Sequence, residues 1–510
     1  MERNNNESNI EQMKRRARSK KKRRKNDLSI KKARNIAGSI IVLLELILSV
    51  VFIGYIDKLN VMPMKYFSIV FAVLIVFFMA VFLTQLSKKT HIFGKLLGVI
   101  MCAVLVVGIV YMSKTVKTLN ELGQAGKYAE NEFFVTVLKD SEITETKELD
   151  GKNIGIMKIS DTAIRDKALD EIKKKTGSEL NTKEYDTAAE LIDALYDGKV
   201  DAAVYRSSYE SIIIEARENF SSETRHIDTI TVKTEIVNDS KFELDPKGIT
   251  THPFIVLLSG TDAEGKVSSV GRSDTNILAV INPATQKVLL VVTPRDSYLP
   301  IPGMTPEGEF DKLTHSGNEG VEVTMATLEK LYGIDIDYFA KFNFESFTGV
   351  IDILGGINVY SEVEFTSSGG FYFNQGYNEI KEGIVALQFA RERHAFPDGD
   401  FQRGRNQMAI VKAVIDKALS PSIITSYLDI MDAASSIVHT NFPPECVTEL
   451  VKYQLNENCK WNIETVSVTG DGSVYEYCYS WKESKLNVVV LDDDSVETAK
   501  QAINDVINGK

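Results

Sequence analysis

Cysteine is scarce in this chain, with 4 in 510 residues. That excludes a small scaffold stapled by disulfides. Three short catalytic signatures are also missing: a nucleophile elbow, a GxxxxGK[ST] phosphate loop and an HExxH zinc pair. Their absence argues against serine-hydrolase, nucleotide-hydrolase and zincin chemistry. No secretory cleavage pattern follows the first apolar run. What is present is an ordinary apolar share, 44%, with 25% charged residues. That excludes disorder for the bulk of the chain. The length allows about three domains at roughly 150 residues each.

Charge is unevenly spread. Residues 1–36 hold 14 Lys/Arg against 4 Asp/Glu, a net of +10 in a chain of net −11, so the rest carries −21. A basic tail is thus joined to an acidic body. Nucleic-acid binding is one reading of such a tail. A positive-inside signal that also touches anionic lipid heads is the other, and the membrane-length run directly after it favours this second reading.

Three apolar runs follow, Ala37–Ile56, Met64–Leu86 and Lys95–Met112. Crossing ~30 Å of hydrocarbon takes about 20 apolar residues. Lys20 to Lys25 precede the first run, and Lys88, Lys89 and Lys95 lie between the second and third. The first loop offers only Lys58 and Lys65. The positive-inside rule puts the tail and the second loop in the cytoplasm. Everything after about residue 113 is then outside. The expected plan is a basic cytoplasmic tail (1–36), a membrane anchor of three helices (37–115), a smaller extracellular α/β accessory domain (116–245) and a larger α/β domain (246–510, core about 250–430).

In the accessory region Phe133–Leu138, Asn153–Met157 and Val200–Tyr205 read as strands, while Thr162–Lys175, Ala188–Leu195 and Tyr209–Asn219 read as helices. Such alternation predicts βαβ units and a mainly parallel sheet. Ala188–Tyr205 resembles one lobe of bacterial extracellular solute-binding proteins. A sensor or docking domain fits that resemblance. A spacer is the favoured reading, because no polar cluster converges here.

Chemistry concentrates in 246–435. Pro253–Ser259, Asn276–Ile281 and Lys287–Thr293 read as consecutive strands. Joined as a meander, they bring Asp262, Arg272, Asp274 and Arg295 to one rim. Carboxylate oxygens suit Mg²⁺, which takes one or two of them plus substrate phosphates. Arginine forks match phosphate oxygens. A second cluster begins with a helix expected over Glu379–Ala390. Arg391-Glu392-Arg393-His394 follows, then Pro397-Asp398-Gly399-Asp400 and a helix over Phe401–Leu419. Asp400 is placed to cap that helix. Arg403 and Gln407 stack on one face of it. Arg391, Arg393, Arg403 and Arg405 gathered in an acidic body repel one another unless an anion neutralises them. For His315 and His394 structural hydrogen bonding is the simpler role. Tyr298, Phe371, Tyr372 and Phe373 fit either sugar stacking or core packing.

These residues resemble a family. Ser259-Gly-Thr-Asp262, Gly271-Arg-Ser-Asp-Thr275, Pro294-Arg-Asp296, Lys312-Leu-Thr-His315, Asp352-Ile-Leu-Gly-Gly356, Ala386-Leu387 and Arg391-x-Arg393-His394…Asp400-x-x-Arg403-x-x-x-Gln407 are similar to motifs of the LytR-CpsA-Psr family, in its order and over about residues 250–430. The anchor, accessory and catalytic plan resembles its capsule-type members. The resemblance implies an α-β-α sandwich and a phosphotransferase. Such an enzyme moves a capsular or teichoic-acid-like polymer from a polyprenyl pyrophosphate carrier to peptidoglycan outside the cell. It implies that Asp262 and Asp274 hold Mg²⁺ (or Mn²⁺). Arg272, Arg295, Arg391, Arg393, Arg403 and Gln407 would grip the pyrophosphate, with Arg272 and Arg295 also catalytic. Asp400 would be the general base or would orient the acceptor hydroxyl. The polyprenyl tail would lie in an apolar tunnel. Implied partners are the lipid-linked glycopolymer, peptidoglycan, membrane lipid and capsule or wall-polymer assembly proteins, with no nucleic acid. Two departures stand out: Asn406-Gln407 where Arg-Gln is common, with Arg405 as a substitute, and Thr314 where Asn is common.

Two other functions fit the same residues. One is a membrane-bound, non-enzymatic regulator or sensor of envelope-polymer synthesis, although the tail lacks a helix-turn-helix pattern. The other is a solute-binding scaffold. C-terminal elements are expected near Pro444–Leu455, Trp461–Val468, Leu486–Leu491 and Val496–Ile507, with Cys459–Cys478 as a candidate disulfide among Cys446, Cys459 and Cys478.

Overall fold

The computed structural model describes residues 36–59, 62–86, 90–125, 128–235, 246–261, 270–420 and 438–510. The basic tail before Ile36 and Asp262 therefore lie outside the described residues. The chain divides into two compact units, Met1–Lys117 and Thr118–Lys510.

The first unit holds α1 (Ile36–Leu59), α2 (Met64–Leu86) and α3 (His91–Ala125). Stretches of 24, 23 and 24 residues in them are long and apolar enough to cross a membrane. Leu43, Ile69, Val76, Val104 and Val107 point outward and are exposed. Apolar side chains on all sides of a helix suit lipid rather than water.

The second unit opens with β1 (Tyr128–Leu138), β2 (Asn153–Met157), β3 (Asn181–Tyr185), β4 (Ala202–Arg206) and β5 (Thr224–Glu235), ordered β3-β2-β4-β1-β5. β2 runs parallel to β3 and β4. β1 runs antiparallel to both β4 and β5. The expectation of a mainly parallel sheet is thus corrected. The reason is β5, whose Thr, Arg, His, Asp and Lys residues hide its alternation and left it unread as a strand. Helix α4 (Thr162–Thr176) starts where the Asp161 side chain accepts from Ile164 N–H, and α5 (Ala188–Tyr196) where Thr187 accepts from Glu190 N–H. Both are N-caps that satisfy otherwise orphaned donors. Ile164, Ala168 and Ile172 bury one face, and Leu191, Ile192 and Leu195 the other. A short α6 (Glu210–Ala216) follows β4.

The larger sheet contains β6 (Phe254–Thr261), β7 (Thr275–Asn282), β8 (Lys287–Val292) and β9 (Tyr338–Asn343). A separate pair, β10 (Ile357–Ser361) and β11 (Gly376–Ile380), precedes its last two strands, β12 (His439–Thr440) and β13 (Asn462–Ser467). The order is β12-β9-β6-β7-β8-β13. β6, β7 and β8 form the expected antiparallel meander, with Leu257 opposite Leu278 and Leu278 opposite Val291. β9 joins β6, and β13 joins β8, in parallel.

Its helices are α7 (Leu313–Glu319), α8 (Val321–Tyr332), α9 (Phe344–Ile353), α10 (Gly383–Arg391), α11 (Asp400–Ala418), α12 (Pro444–Glu457) and α13 (Asp493–Ile507). Ile255, Leu257, Leu278, Val280, Leu289 and Val291 pack on one side against Leu328, Tyr332, Val496, Ala499 and Ile503 of α8 and α13. On the other side Val256, Ile277, Ala279, Leu290 and Val292 meet Met408 of α11 and Cys446 of α12. This is an α-β-α sandwich, and it explains why the strands are apolar on both faces. Each fully buried Leu, Ile or Val contributes about 1.5–3 kcal/mol relative to exposure. The sandwich can therefore tolerate a costly polar rim.

Three local expectations need correction. The helix expected over Glu379–Ala390 starts only at Gly383, because Ile380 pairs with Ile357 in the β10–β11 ladder. The hairpin of β14 (Gly470–Cys478) and β15 (Trp481–Leu491) is longer than the single short strand read there. All four cysteines are free, so Cys459 and Cys478 are not bonded. Cys478 ends β14 opposite Trp481, with burial and Asp311 pushing its thiol up, while Cys459 lies beside Tyr453 after α12.

Candidate active site

The rim forms where β6 and β8 end and β7 begins. Asp274 N–H donates to Gly260 O at 2.7 Å, which turns the loop back onto the sheet. Arg295, just past β8, donates from Nη1 to Asp274 Oδ1 at 2.7 Å. Thr314 Oγ1 donates to the same oxygen at 3.3 Å. Asp274 Oδ2 is buried and has no hydrogen-bond partner among the described residues. An orphaned carboxylate oxygen is costly. A hard cation such as Mg²⁺ would satisfy this oxygen.

Helix α11 supplies the facing wall. Asp400 was expected to cap it. Instead Gly399 takes the cap position with φ 47°, a conformation that favours glycine, and Asp400 is the first helical residue. Its carboxylate turns sideways, so that Arg403 Nη2 donates to Asp400 Oδ2 at 3.1 Å. Arg295 Nε lies 3.8 Å from that oxygen, and Arg393 Nη1 lies 3.8 Å from Oδ1. Three guanidiniums from three separate stretches thus surround one carboxylate.

The electrostatics leave positive charge unmatched. Burial is the main cause that lowers the pKa of Arg403; Asp400 opposes it, and Arg295 and Arg393 add to it. An arginine pressed this way stays charged, and an anion would relieve it. Burial also works against the charge on Arg295, but Asp296 and Asp274 more than reverse this and raise its pKa. Asp296 in turn lies 3.2 Å from Lys312 Nζ. Burial would raise its pKa, yet Lys312 and then Arg295 hold it below the usual carboxylate range.

The remaining expected residues divide. Arg272 is half-buried in the loop before Asp274, and Gln407 is half-buried one turn beyond Arg403. Arg391 is exposed, with its guanidinium 4.1 Å over the Phe344 ring. Arg405 pairs with Glu362 at 2.9 Å and Asp398 at 2.5 Å. His315 is buried against Asp311 Oδ1 at 2.6 Å and Ser480 Oγ at 3.1 Å, and His394 accepts from Arg393 Nε at 3.3 Å. Phe373 is core, while Phe371 and Tyr372 are exposed.

Five supporting residues were assigned no role from sequence: Asp296, Lys312, Thr314, Lys341 and Glu392. Lys341 is fully buried in β9 and donates to Gly271 O at 2.9 Å. Burial, opposed by Glu322 and Asp274, pushes its pKa down to about 8. A lone lysine in a strand flanked by Phe339 and Phe342 was the available signal. The buried Glu392 carboxylate accepts from Ser368 Oγ at 2.8 Å and from the N–H groups of Arg393 and Ala395 at 3.0 Å each. It pins the turn that presents Arg393.

The LytR_cpsA_psr family model matches residues 218–495. A second model, DNA polymerase processivity factor, matches residues 87–205. That stretch is under a quarter of the chain and includes α3, so it shows no family. The polyisoprenyl-teichoic acid--peptidoglycan teichoic acid transferase TagU of Bacillus mycoides (strain KBAB4) is 34% identical over 245 residues, 47% of this chain and 78% of that protein. TagU of Bacillus cereus (strain ATCC 14579) is 33% identical over 254 residues, 50% of this chain and 81% of that protein. The crystal structure of B. subtilis TagV aligns at 27% identity and a TM-score of 0.43, covering 51% of this chain and 98% of that one.

Proposed function

On the premise that this chain belongs to the LytR_cpsA_psr family of glycopolymer transferases, we propose that it transfers a wall polymer, teichoic-acid-like or capsular, from a polyprenyl pyrophosphate carrier to peptidoglycan. The observation that carries this reading is the Asp400 carboxylate held among Arg295, Arg393 and Arg403, beside the orphaned oxygen of Asp274. Surplus guanidinium charge next to an unsatisfied carboxylate suits a diphosphate with its cation.

Asp274, together with Asp262, would hold Mg²⁺ or Mn²⁺. Bound there, the ion supplies charge neutralisation at the phosphate oxygens. Arg295, Arg403 and Arg393 grip the diphosphate, with Arg272 and Gln407 beside them and Arg391 at the outer edge. An acceptor hydroxyl oxygen forms the new bond to the polymer-linked phosphorus. The bridging P–O bond breaks, and its electron pair leaves on polyprenyl phosphate. Asp400 takes the acceptor proton or orients the hydroxyl. Positioning and charge do most of this work, as phosphoryl transfer needs little covalent help. Half-buried Phe347, Val350 and Val385 beside the aromatic core offer the carrier's isoprenoid chain an apolar wall.

The three apolar helices support a multi-pass anchor, and the lysine and arginine placement supports a cytoplasmic tail with the larger unit outside. On that reading the site lies on the side where wall polymers meet peptidoglycan. The direct test supplies the full-length chain with a synthetic lipid-linked donor and a peptidoglycan acceptor. Release of polyprenyl phosphate coupled to polymer attachment is expected. Polymer binding without release would leave only a passive scaffold.

A further inference from the structure

The accessory sheet reaches into the catalytic half through one fully buried arginine. Arg206, the last residue of β4, is 1% exposed. Its Nη1 donates to Asn318 O at 3.2 Å and Glu319 O at 2.9 Å. These are the final carbonyls of α7, which a helix leaves without internal partners. Ser208 Oγ adds a bond to Asn318 O at 2.9 Å. In the other direction, the Glu319 carboxylate accepts from Ser160 N–H at 2.8 Å, from Ser160 Oγ at 2.6 Å and from the buried Tyr209 hydroxyl. The C-terminus of α7 is thus capped by residues from the region around the smaller sheet.

The same helix carries the site at its other end. Every residue of α7 is buried. Thr314 N–H donates to Arg295 O at 2.8 Å, and Thr314 Oγ1 reaches Asp274. Ser273 N–H donates to Thr314 O at 3.0 Å, and Gly271 N–H to Gly317 O at 2.9 Å. A Cβ on Gly317 would stand 2.5 Å from Gly271 O and 2.8 Å from Ser273 N, both backbone atoms. There is therefore no slack between α7 and the Gly271–Asp274 loop. Buried guanidinium bonds at a helix end are also expensive to break.

We propose that Arg206 and Tyr209 of the accessory domain are positioning residues of the active site, which set the Arg272–Asp274 loop by fixing the end of α7. The accessory domain is then part of the catalytic scaffold rather than a spacer. This inference rests on the function proposed above for what the loop does, but the coupling itself can be measured without turnover.

The test uses the full-length chain in detergent with Arg206→Met, Arg206→Lys and Tyr209→Phe, and with Lys173→Ala on the exposed face of α4 as the control. Hydrogen exchange is followed at the amides of Gly271 and Ser273. Exchange about five-fold faster or more is expected there in Arg206→Met and Tyr209→Phe, a size usual for coupling between sites. Exchange in β6–β8 stays as in the parent, and Arg206→Lys recovers part of the protection. The Mn²⁺ concentration for half-maximal transfer rises in parallel. If Arg206→Met does not fold, Tyr209→Phe carries the decision. Unchanged exchange at Gly271 and Ser273, or an equal rise through β6–β8, overturns the proposal. A parent chain that transfers nothing would count against the proposed function alone, since the exchange result still decides the coupling.

Discussion

Arg295 and Asp274 are 21 residues apart in sequence and share a 2.7 Å hydrogen bond, with 23% and 15% of their side chains exposed. The pair ties the end of β8 to the start of β7. It leaves the second oxygen of Asp274 open.

Replacing Asp274 by Asn keeps the shape and removes the charge. Transfer should fall by roughly 10²–10³, the usual effect of losing one preorganised electrostatic group. The free energy of unfolding from urea titration should also fall, by about 2 kcal/mol, because Arg295 loses its closest carboxylate. A variant with full activity would remove Asp274 from the site.

Arg403 separates fork from point charge. Arg403→Lys preserves the positive charge but not the paired donors. The KM for the lipid donor should rise by roughly ten-fold, the value of one lost charged hydrogen bond. Arg403→Ala should lower kcat as well. Equal kinetics for Lys and Arg would mean that geometry at this position is irrelevant.

The acid limb of stability follows from Asp296, whose folded pKa lies below its ordinary value. Such a group stabilises the fold above its unfolded pKa of about 4 and loses that contribution as pH falls toward the folded value. Asp311, held low by His315 against its burial, acts in the same sense. Urea titrations of the parent between pH 6 and 3 should therefore show a steep decline below about pH 4. Asp296→Asn should be about 1–2 kcal/mol less stable at pH 7 and decline less steeply in acid. A parallel pair of curves would contradict this assignment.

Gly317→Ala places a methyl group against backbone that cannot rotate away. A loss of about 1–3 kcal/mol is expected from the overpacking. Transfer should suffer more than stability, because the displaced atoms belong to the Gly271–Asp274 loop. A stable, fully active Gly317→Ala would show that the loop has room to shift.

The meander was legible because β6, β7 and β8 are apolar on both faces and follow one another with no helix read between them. Asp274 and Arg295 sit at its ends, so their meeting could be read from connectivity. That Arg403 and Gln407 lie one turn apart on α11 was legible from their spacing. Ile380 was not, since its spacing to Ile384 and Leu387 suits a helix while its ladder partner Ile357 is 23 residues away. Lys341 was hidden for a similar reason: its place beneath Gly271 depends on β9 pairing with β6, where Lys341 faces Ser259. Arg206 was hidden most deeply, because its bonds join residues 112 and 113 positions apart.

The most direct test of the central claim is calorimetric binding of a short-chain polyprenyl pyrophosphate to the full-length chain with Mg²⁺ present, beside Arg403→Ala and the double variant Arg295→Ala/Arg403→Ala. Saturable binding that weakens in the single variant and vanishes in the double is the result expected from a guanidinium cradle. Affinity unchanged by both substitutions would mean that the diphosphate sits elsewhere.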